Sequence, residues 1–424
     1  MCLPSEVYKS VSGLVHKSNR KGAFIITKAT VERNTMEKVK VGILGLGRGM
    51  SFVDELKLMA DAEIVAIFDK NPKMVEQALE AFEIKPKICT SYDDLLNSGI
   101  DCVILCNYFH EHAPYAIRAF ERGIAVLSEC TSASTLKQCA ELCDAYEKYN
   151  AKYMIAENYP YNAAMLAIEK KCTEGKFGRI LYAEGEYNHS GTYEKLKELT
   201  PDKYHWRAYL ARTYYSTHSL GPLMHCTKQN PVNVSAFAVH SDVLEKEIDF
   251  RYNYDAFAMM TCRTEDGALF RFNGNAHMGS PSGYRVVGEN GSGETGRSLG
   301  GDVYVHYHEW TRPEDEVCDY TYTPTFDEKY EGAPGSGGHE GGDFCVTRIF
   351  LDYVKGGETP FFDVYRGCCM SAVAILGWRS CLENGRVYEI PDFRDKAQRD
   401  AVRGDDLTPF PDENGDNITL PCHT

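Results

Sequence analysis

The feature that most constrains the fold is a glycine-rich turn between an apolar run and an amphipathic segment. The run Val39–Leu44 ends directly before Gly45-Leu46-Gly47-Arg48-Gly49. Glycines in such a strand–turn–helix unit bend the chain tightly and let the backbone approach a pyrophosphate at a helix N-terminus. The usual third glycine position holds Met50, and Gly49 comes one residue early. The turn predicts a dinucleotide site in which the helix packs on its strand in an unusual way.

Short apolar runs alternate with helical patterns from Val39 to about Ala156. The runs are Val39–Leu44, Glu63–Phe68, Cys102–Cys106, Ile124–Leu127 and Tyr153–Ile155. Segments with apolar residues at helical spacing, such as 72–82 and 112–122, separate them. Because this alternation is the signature of a parallel sheet wrapped by helices, we predict a Rossmann, doubly wound parallel sheet here.

Asp69 ends the second apolar run, roughly 20 residues after the glycine turn. An acidic side chain at that place accepts hydrogen bonds from the adenosine ribose hydroxyls of a dinucleotide. It also repels the 2′-phosphate of NADP, so the predicted cofactor is NAD. Lys70 beside it keeps NADP open as the alternative.

Strand-like stretches dominate after Tyr161, and Glu265-Asp266-Gly267 predicts a hairpin turn between two of them. These stretches cover residues 180–187, 257–262, 268–272, 284–287 and 303–307. A helix is predicted over Val364–Leu382, closed by Asn384-Gly385. The fold class is therefore α/β: an N-terminal Rossmann doubly wound parallel sheet plus a C-terminal α+β domain with an open, largely antiparallel sheet. The predicted division is an extension over residues 1–36, a dinucleotide-binding domain over 37–158, and a substrate-binding and oligomerisation domain over 159–424.

The formal net charge of −15 disfavours nucleic acid and anionic membranes as partners, because both are negatively charged themselves. No apolar stretch reaches the roughly 18 residues that suggest a membrane-spanning helix. The first 35 residues lack the apolar segment of a secretory signal. The cysteines form no C-x-x-C pair, and free cysteines are typical of a reducing compartment. We therefore predict a soluble, cytoplasmic protein.

From Val39 onward the chain resembles the Gfo/Idh/MocA oxidoreductase family, with several segments in the same order. Beside the glycine turn these are Cys106-Asn107 with His110 and His112, residues 123–129, and the step from Tyr153 to Asn158. The family implies a Glu-Lys-Pro segment whose lysine is a catalytic group beside the nicotinamide. Here the segment reads Glu129-Cys130-Thr131. A thiol cannot replace an ammonium in orienting and deprotonating a substrate hydroxyl, so either another residue acts or the chemistry differs.

One branch of that family lacks the lysine and is more similar to this chain: the NAD-dependent glycosidases typified by α-N-acetylgalactosaminidases. The shared motifs are Glu157-Asn158-Tyr159-Pro160-Tyr161, Tyr187-Asn188-His189, Trp206-Arg207, the segment from Tyr215 to Pro222, and the segment from Gly338 to Phe344. The resemblance implies transient oxidation at sugar carbon 3, elimination of the aglycone, hydration at carbon 1 and re-reduction, without net redox change. Ser216 and Ser219 depart from the branch's proline and glycine, so its sugar specificity does not carry over.

Two proton-transfer groups are required, and the motifs suggest four catalytic candidates: Tyr187, His189, His218 and Tyr215. We expect Tyr187 to act as the carbon 2 base and His218, on a loop with Tyr215, to face the carbon 3 hydroxyl. His189 lies two residues from Tyr187 on a predicted strand, so both project from one face, and it would bind or deprotonate a hydroxyl. Expected substrate contacts are Glu157, Tyr161, Tyr187, His189, Tyr215, His218 and His339. Expected cofactor contacts are Gly45, Gly47, Arg48, Gly49, Met50, Asp69, Asn107, His110, His112, Glu129, Cys130, Glu157, Asn158, Trp206 and Arg207. No metal site is predicted, since no histidine pair has ligand spacing on one helix.

Two other interpretations stay open at this point. A net NAD-dependent dehydrogenase of a sugar, glycoside or inositol would share the fold and most of the site, with His189 or His218 in the lysine's role. A non-catalytic sensor of dinucleotide and sugar would also lack the lysine. The resembled family generally pairs through the exposed face of its second sheet, so we expect a homodimer or higher homo-oligomer.

Overall fold

The computed structural model describes residues 38–83, 85–189, 193–200, 205–240, 255–274, 282–296, 301–327, 330, 338–411 and 419–420. The predicted N-terminal extension, residues 1–36, lies outside these ranges. The proposed division into two domains remains a prediction, although the described chain does contain two separate sheets.

The first sheet is parallel. Its strands are β1 Val39–Leu44, β2 Ala62–Phe68, β3 Lys87–Ile88, β4 Cys102–Leu105, β5 Ala125–Ser128 and β6 Tyr153–Ile155. Its helices are α1 Leu46–Lys57, α2 Pro72–Leu79, α3 Tyr92–Leu96, α4 His112–Phe120 and α5 Leu136–Lys148. The strand order β3-β2-β1-β4-β5-β6 is that of a doubly wound Rossmann sheet. Strands β4, β5 and β6 are buried along their whole length, as expected for parallel strands covered on both faces.

Helix ends follow local capping chemistry. The Asn71 side chain accepts a hydrogen bond from Lys73 N and starts α2 at Pro72, a residue suited to the first helical turn. Thr135 caps α5 in the same way, through Gln138 N. Helices α2 and α4 end two or three residues before the predicted positions, which is where sequence patterns are least informative.

The second sheet has nine strands. They are β7 Ile180–Glu186, β8 Asn233–His240, β9 Asp255–Arg263, β10 Leu269–Gly274, β11 Gly283–Gly288, β12 Gly291–Thr295, β13 Val303–Tyr307, β14 Asp319–Tyr322 and β15 Tyr388–Glu389. They lie in the order β14-β13-β12-β11-β7-β10-β9-β8-β15, and only the β7–β10 pair is parallel. The predicted hairpin joins β9 to β10, with Gly267 at a φ of 87° in its turn. The α/β fold class with a largely antiparallel second sheet is confirmed.

One face of this second sheet is covered by helices and the other is open. The remaining helices are α6 Ala163–Thr173, α7 Tyr193–Leu199, α8 Thr217–Thr227, α9 Gly342–Val354, α10 Val364–Leu382 and α11 Lys396–Ala401. Helix α10 has the predicted bounds; it packs on β8 and also on α5, so it joins the second sheet to the Rossmann layer. Helix α8 packs on β7 and β10 and carries His218 between the two sheets. None of the described helices combines the length and the apolar character that a bilayer crossing requires.

Candidate functional site

Two of the three glycines in the turn are required because a side chain at either position would clash with neighbouring atoms. Gly45 has a φ of 86°, and a Cβ there would lie 2.3 Å from the carbonyl oxygen of Cys106. A Cβ on Gly49 would lie 2.9 Å from Cγ2 of Ile43, so Gly49 lets α1 pack closely on β1. Gly49 therefore provides the close packing of helix on strand that a glycine at position 50 would usually provide. Met50 is half-buried beside it. No described atom lies within 4 Å of a Cβ placed on Gly47, which keeps that backbone open.

Asp69 stands against this turn. Its Oδ2 accepts a hydrogen bond from Leu46 N at 2.6 Å, and its Oδ1 accepts one from Asn71 N at 2.7 Å. The neighbouring Lys70 is drawn away, because its Nζ binds Glu111 at 2.9 Å. The carboxylate thus lies beside the helix N-terminus while the lysine that could favour a 2′-phosphate is paired elsewhere.

The segment after β4 forms one wall of the same edge. His112 braces it, with Nδ1 2.7 Å from Thr131 O and Nε2 3.3 Å from Asn107 O. His110 stacks on Phe410 with ring centroids 5.5 Å apart, and burial lowers the pKa of His110 to about 4, so the ring is neutral at pH 7. Within the described residues, Oδ1 of Asn107 and Nδ1 of His110 are buried without a hydrogen-bond partner.

These observations fit a bound dinucleotide. An open glycine backbone at a helix N-terminus suits a pyrophosphate, and a carboxylate at the end of β2 suits ribose hydroxyls. Buried polar atoms without partners are rare in folded proteins, and Asn107 and His110 each offer one at the same edge. An amide or hydroxyl of a ligand would satisfy them.

A buried ion cluster ties the glycine turn to the rest of the site. Asp343, at the start of α9, is fully buried and accepts hydrogen bonds from Arg48 at 2.7 and 3.0 Å and from Asn158 Nδ2 at 2.7 Å. His339 Nδ1 lies 2.9 Å from Asp343 Oδ2, and Arg48 Nε also binds Glu129 at 2.8 Å. Burial by itself would raise the pKa of Asp343, but the His339 hydrogen bond and the Arg48 charge outweigh it and lower that pKa. The cluster brings three predicted site residues, Arg48, Asn158 and His339, onto the Asp343 carboxylate, and a fourth, Glu129, joins it through Arg48.

A second buried group lies beside it. Both carboxylate oxygens of Glu157 are 2.9 Å from Nδ1 of His218, and the Cys130 thiol donates to Glu157 Oε2 at 3.4 Å. Glu157 is 0% exposed, and His218 keeps 5% of its surface. A Cβ on Gly221 would lie 2.5 Å from Cγ of Glu157, so the glycine within α8 makes room for this carboxylate. Among the described residues, no hydrogen bond to Nε2 of His218 is found.

Three tyrosines surround the His218 ring. Its centroid lies 4.6 Å from that of Tyr159, 4.8 Å from that of Tyr187 and 5.2 Å from that of Tyr215. Burial raises the pKa of all three phenols; a hydrogen bond between Tyr159 and Tyr187 opposes this at Tyr159 and adds to it at Tyr187. We call His218 with these three tyrosines the aromatic cluster.

Tyr187 and His189 do not share a strand face as predicted. Strand β7 ends at Glu186, so both residues lie beyond it; Tyr187 is buried and His189 is exposed. Their rings are still neighbours, with centroids 6.2 Å apart, which places His189 at the rim of the aromatic cluster. His339 lies in the segment before α9, and its ring centroid is 5.6 Å from that of Tyr159. His339 therefore also lies beside the aromatic cluster.

Three predicted contacts, Tyr161, Trp206 and Arg207, lie outside the aromatic cluster. Tyr161 is buried against His225 and Phe362, with centroid distances of 5.0 and 6.2 Å, and its substrate role stays a prediction. Trp206 stacks on Phe109 at 5.1 Å, and the Arg207 guanidinium lies 4.4 Å over the Trp206 ring. Burial lowers the pKa of Arg207, and the charges of Tyr215 and Tyr187 oppose that change.

Sequence reasoning missed three residues. Tyr159 lies inside a quoted motif but was given no role; its position two residues after Glu157 was the available signal. Asp343 was likewise inside a motif, and its place in the first turn of α9 pointed only to a helix terminus. Phe410 had no signal at all, because only tertiary packing brings it onto His110 and Tyr214.

Comparisons with known proteins agree on both halves of the chain. Residues 39–157 match the oxidoreductase family with an NAD-binding Rossmann fold, and residues 161–399 match the C-terminal domain of glycosyl hydrolase 109. A glycosyl hydrolase family 109 protein 1 of Shewanella sp. (strain MR-4) is 27% identical over 402 residues, which is 87% of each chain. The alpha-N-acetylgalactosaminidase of Shewanella oneidensis is 27% identical over 393 residues, 84% of this chain and 85% of that one.

Solved structures share the fold at lower identity. A levoglucosan dehydrogenase in complex with NADH and levoglucosan has a TM-score of 0.68 and 18% identity, covering 84% of this chain and all (100%) of that one. A myo-inositol 2-dehydrogenase from Lactobacillus plantarum has a TM-score of 0.65 and 16% identity, covering 84% and 100%. At these identities the likeness shows the shared two-sheet architecture.

Proposed function

Because this chain belongs to the glycosyl hydrolase 109 family and carries an NAD-binding Rossmann fold, we propose that it is a redox-neutral, NAD-dependent glycosidase. The observation that carries the proposal is the pairing of His218 Nδ1 with the buried Glu157 carboxylate inside the aromatic cluster. Bound NAD⁺ would supply reversible hydride acceptance at sugar carbon 3 and would not be consumed over the whole cycle.

Glu157 fixes the state of the histidine. A carboxylate that accepts a hydrogen bond from Nδ1 holds the imidazole in the tautomer whose lone pair is on Nε2. His218 can then take the proton of the carbon 3 hydroxyl as hydride leaves that carbon. This pair substitutes for the lysine that related oxidoreductases use, since the neutral Cys130 thiol at that position cannot accept such a proton at pH 7.

Tyr187 removes the proton from carbon 2 in this proposal. Its raised pKa means that the phenol holds its proton at neutral pH, so the base form needs a cation nearby. Arg207 is such a cation, and its charge acts on both Tyr187 and Tyr215. Tyr159, which shares a hydrogen bond with Tyr187, offers a second oxygen through which the proton can move.

In this proposal the cofactor binds along the glycine turn, next to Arg48, Glu129 and Asn158. The sugar binds beside the aromatic cluster, next to His189 and His339. The other proposed cofactor contacts are Asp69, Asn107, His110, His112, Cys130, Trp206 and Arg207. We propose Glu157, Tyr161, Tyr187, His189, Tyr215, His218 and His339 as sugar contacts.

Product stoichiometry tests the proposal. The purified protein with NAD⁺ is given a panel of chromogenic glycosides, beginning with α-N-acetylgalactosaminides. We expect aglycone release without accumulation of NADH, and entry of solvent deuterium at carbon 2 of the released sugar. NADH formed one for one with sugar consumed, with no carbon 2 exchange, would instead establish the second candidate, a net dehydrogenase. The His218–Glu157 pair is sufficient for the dehydrogenase reaction, because oxidation at carbon 3 requires no base at carbon 2.

We also propose a homodimer that pairs through the open face of the second sheet. Phe237 and Val239 on β8 are 57% and 62% exposed on this face, and Leu269 on β10 is 49% exposed. The same face carries the pairs Arg271–Glu184 and Arg285–Glu294, so it presents both charge signs to a copy of itself. Light scattering tests this, with Phe237→Glu as the variant expected to yield monomers; a monomeric parent protein would contradict it.

We further propose a cytoplasmic location. Every cysteine that the structure describes is a free thiol, which suits a reducing compartment. Fractionation of the source cells with an antibody to the chain tests this; recovery outside the cytoplasmic fraction would overturn it.

A further inference from the structure

The structure brings together three metal-ligating side chains that the sequence leaves far apart. One ligand atom each of Cys130, Glu157 and His218 lies within 4.8 Å of the other two. The Cys130 Sγ to Glu157 Oε2 distance is 3.4 Å, and the Glu157 oxygens are 2.9 Å from His218 Nδ1. All three side chains are buried, with 6% of Cys130 and 5% of His218 exposed.

We propose that Cys130, Glu157 and His218 form a binding site for a soft divalent cation, best matched by Zn²⁺, and that occupancy of this site inhibits the enzyme. The binding part stands on the geometry of the three side chains. The inhibition part rests on the function proposed above.

The distances suit zinc. Zinc binds sulfur at about 2.3 Å and nitrogen or oxygen at about 2.0–2.2 Å, in a tetrahedron. Ligand atoms in such a tetrahedron are about 3.3–3.6 Å apart. The observed separations of 2.9 and 3.4 Å are within a few tenths of an ångström of these, and the ligand atoms of Cys130 and His218 lie within 4.8 Å of each other, so rotation of the Cys130 and His218 side chains would admit the ion.

The ligand chemistry selects the type of metal. A thiolate, an imidazole and a carboxylate are the ligands of Zn²⁺ and similar ions, whereas Mg²⁺ and Ca²⁺ take oxygen ligands. Three protein ligands leave a fourth position for water or a substrate hydroxyl. A lysine in place of Cys130, as in related oxidoreductases, would both remove a ligand and repel a cation, so the site depends on the cysteine.

Metal binding would release one proton and move another. The Cys130 S–H bond breaks as the S–Zn bond forms, and that proton goes to solvent. When Nδ1 of His218 binds the ion, its proton leaves and Nε2 takes one up, so the imidazole stays neutral. Nε2 then carries the proton and has no free lone pair. His218 can therefore no longer act as the base that the proposed mechanism needs.

Binding is tested without any reference to turnover. The full-length protein with NAD⁺ is titrated with Co²⁺, a spectroscopic substitute for zinc, and with Zn²⁺ alone in equilibrium dialysis. We expect thiolate-to-cobalt charge-transfer absorption and one equivalent of tightly bound Zn²⁺ per chain. Cys130→Ser should abolish the absorption and weaken zinc binding by more than about 100-fold, since loss of a ligand costs more than loss of an outer partner.

The matched control is Cys318→Ser, which changes a half-exposed cysteine directly before β14 and should leave both signals unchanged. Circular dichroism of each variant confirms that it is folded. Equal zinc affinity in the parent and Cys130→Ser proteins, or absence of the cobalt–thiolate absorption, would overturn the site. If binding is confirmed but Zn²⁺ leaves aglycone release unaffected, the inhibition and the role of His218 as base are wrong while the site stands.

Discussion

The guanidinium of Arg48 and the carboxylate of Asp343 form a two-point ion pair, at 2.7 and 3.0 Å, between residues 295 positions apart. Arg48 belongs to the helix that starts at the glycine turn, and Asp343 begins α9. The pair therefore fixes the cofactor edge against the chain segment that carries His339.

Replacing this carboxylate tests its importance. We expect Asp343→Asn to lower the free energy of unfolding by about 3 kcal/mol, because Arg48, Asn158 and His339 lose the charged acceptor that they share, while Arg48 keeps Glu129 as a partner. NAD affinity should fall as well, since Glu129 alone then positions Arg48. Denaturant unfolding and NAD titration measure the two effects, with Asp352→Asn, an exposed carboxylate of the same helix, as control. Parent-like values in both measurements would show that the pair is dispensable.

The glycines of the turn should separate packing from cofactor binding. Gly49→Ala places a methyl group 2.9 Å from Ile43 Cγ2 and should lower the free energy of unfolding by roughly 1–3 kcal/mol. Gly47→Ala meets no described atom, so stability should hold while NAD affinity falls, because the backbone there must approach a pyrophosphate. Calorimetric unfolding and NAD titration distinguish the two. Identical effects of both substitutions would argue against this assignment.

Glu157→Gln should disable the proposed base while keeping the shape of the side chain. The amide cannot hold His218 in the required tautomer, and loss of general base help costs about 10²–10⁴ in kcat. Aglycone release from the best glycoside of the panel measures this. Glu184→Gln, on the open sheet face, serves as the control. Retention of most of the parent kcat would remove the pair from the mechanism.

The acid stability of the protein should depend in part on Asp61. Hydrogen bonds from Arg348 and Lys355 outweigh burial and lower the pKa of Asp61. A lowered pKa stabilises the fold above the unfolded-state value of about 3.9, and this contribution is lost as the pH falls through the folded-state pKa. Arg348→Gln should therefore destabilise the protein at about pH 7, by no more than about 1 kcal/mol for a partly exposed pair, and the difference should shrink below about pH 4. Urea unfolding at both pH values measures it; a difference independent of pH would contradict this account.

Phe410 should matter to both stability and cofactor binding. It is 2% exposed, stacks on His110 and meets Tyr214 edge-on, although it lies beyond the residues that match the glycosyl hydrolase 109 domain. Phe410→Ala should lower the free energy of unfolding by about 3–5 kcal/mol and weaken NAD binding, because His110 loses its support. Leu407→Ala, at a 38% exposed position nearby, is the control. An NAD affinity equal to that of the control would show that His110 needs no such support.

Much of the fold could be predicted from short stretches of sequence. The bounds of β1 and α10 are those expected, and the hairpin at Gly267 is present, because strand runs, helix periods and turn glycines are local signals. The face assignment of Tyr187 and His189 was wrong, since the strand ends at Glu186 and period-2 alternation stops with it. The sequence also could not show how the turn functions without a glycine at position 50. Only the packing shows that Gly49, which lies against Ile43, allows the close approach of helix and strand.

The sequence by itself determined the Rossmann unit, the acidic end of β2 and the absence of the usual lysine at Cys130, because each depends on residues adjacent in the chain. Only the tertiary structure decided which groups act together: Glu157 with His218, Asp343 with Arg48, and Cys130 with both members of the first pair. These contacts join segments from different layers. No periodicity records such contacts, since their distances are set by how α8, α9 and the two sheets pack rather than by any local preference of the chain.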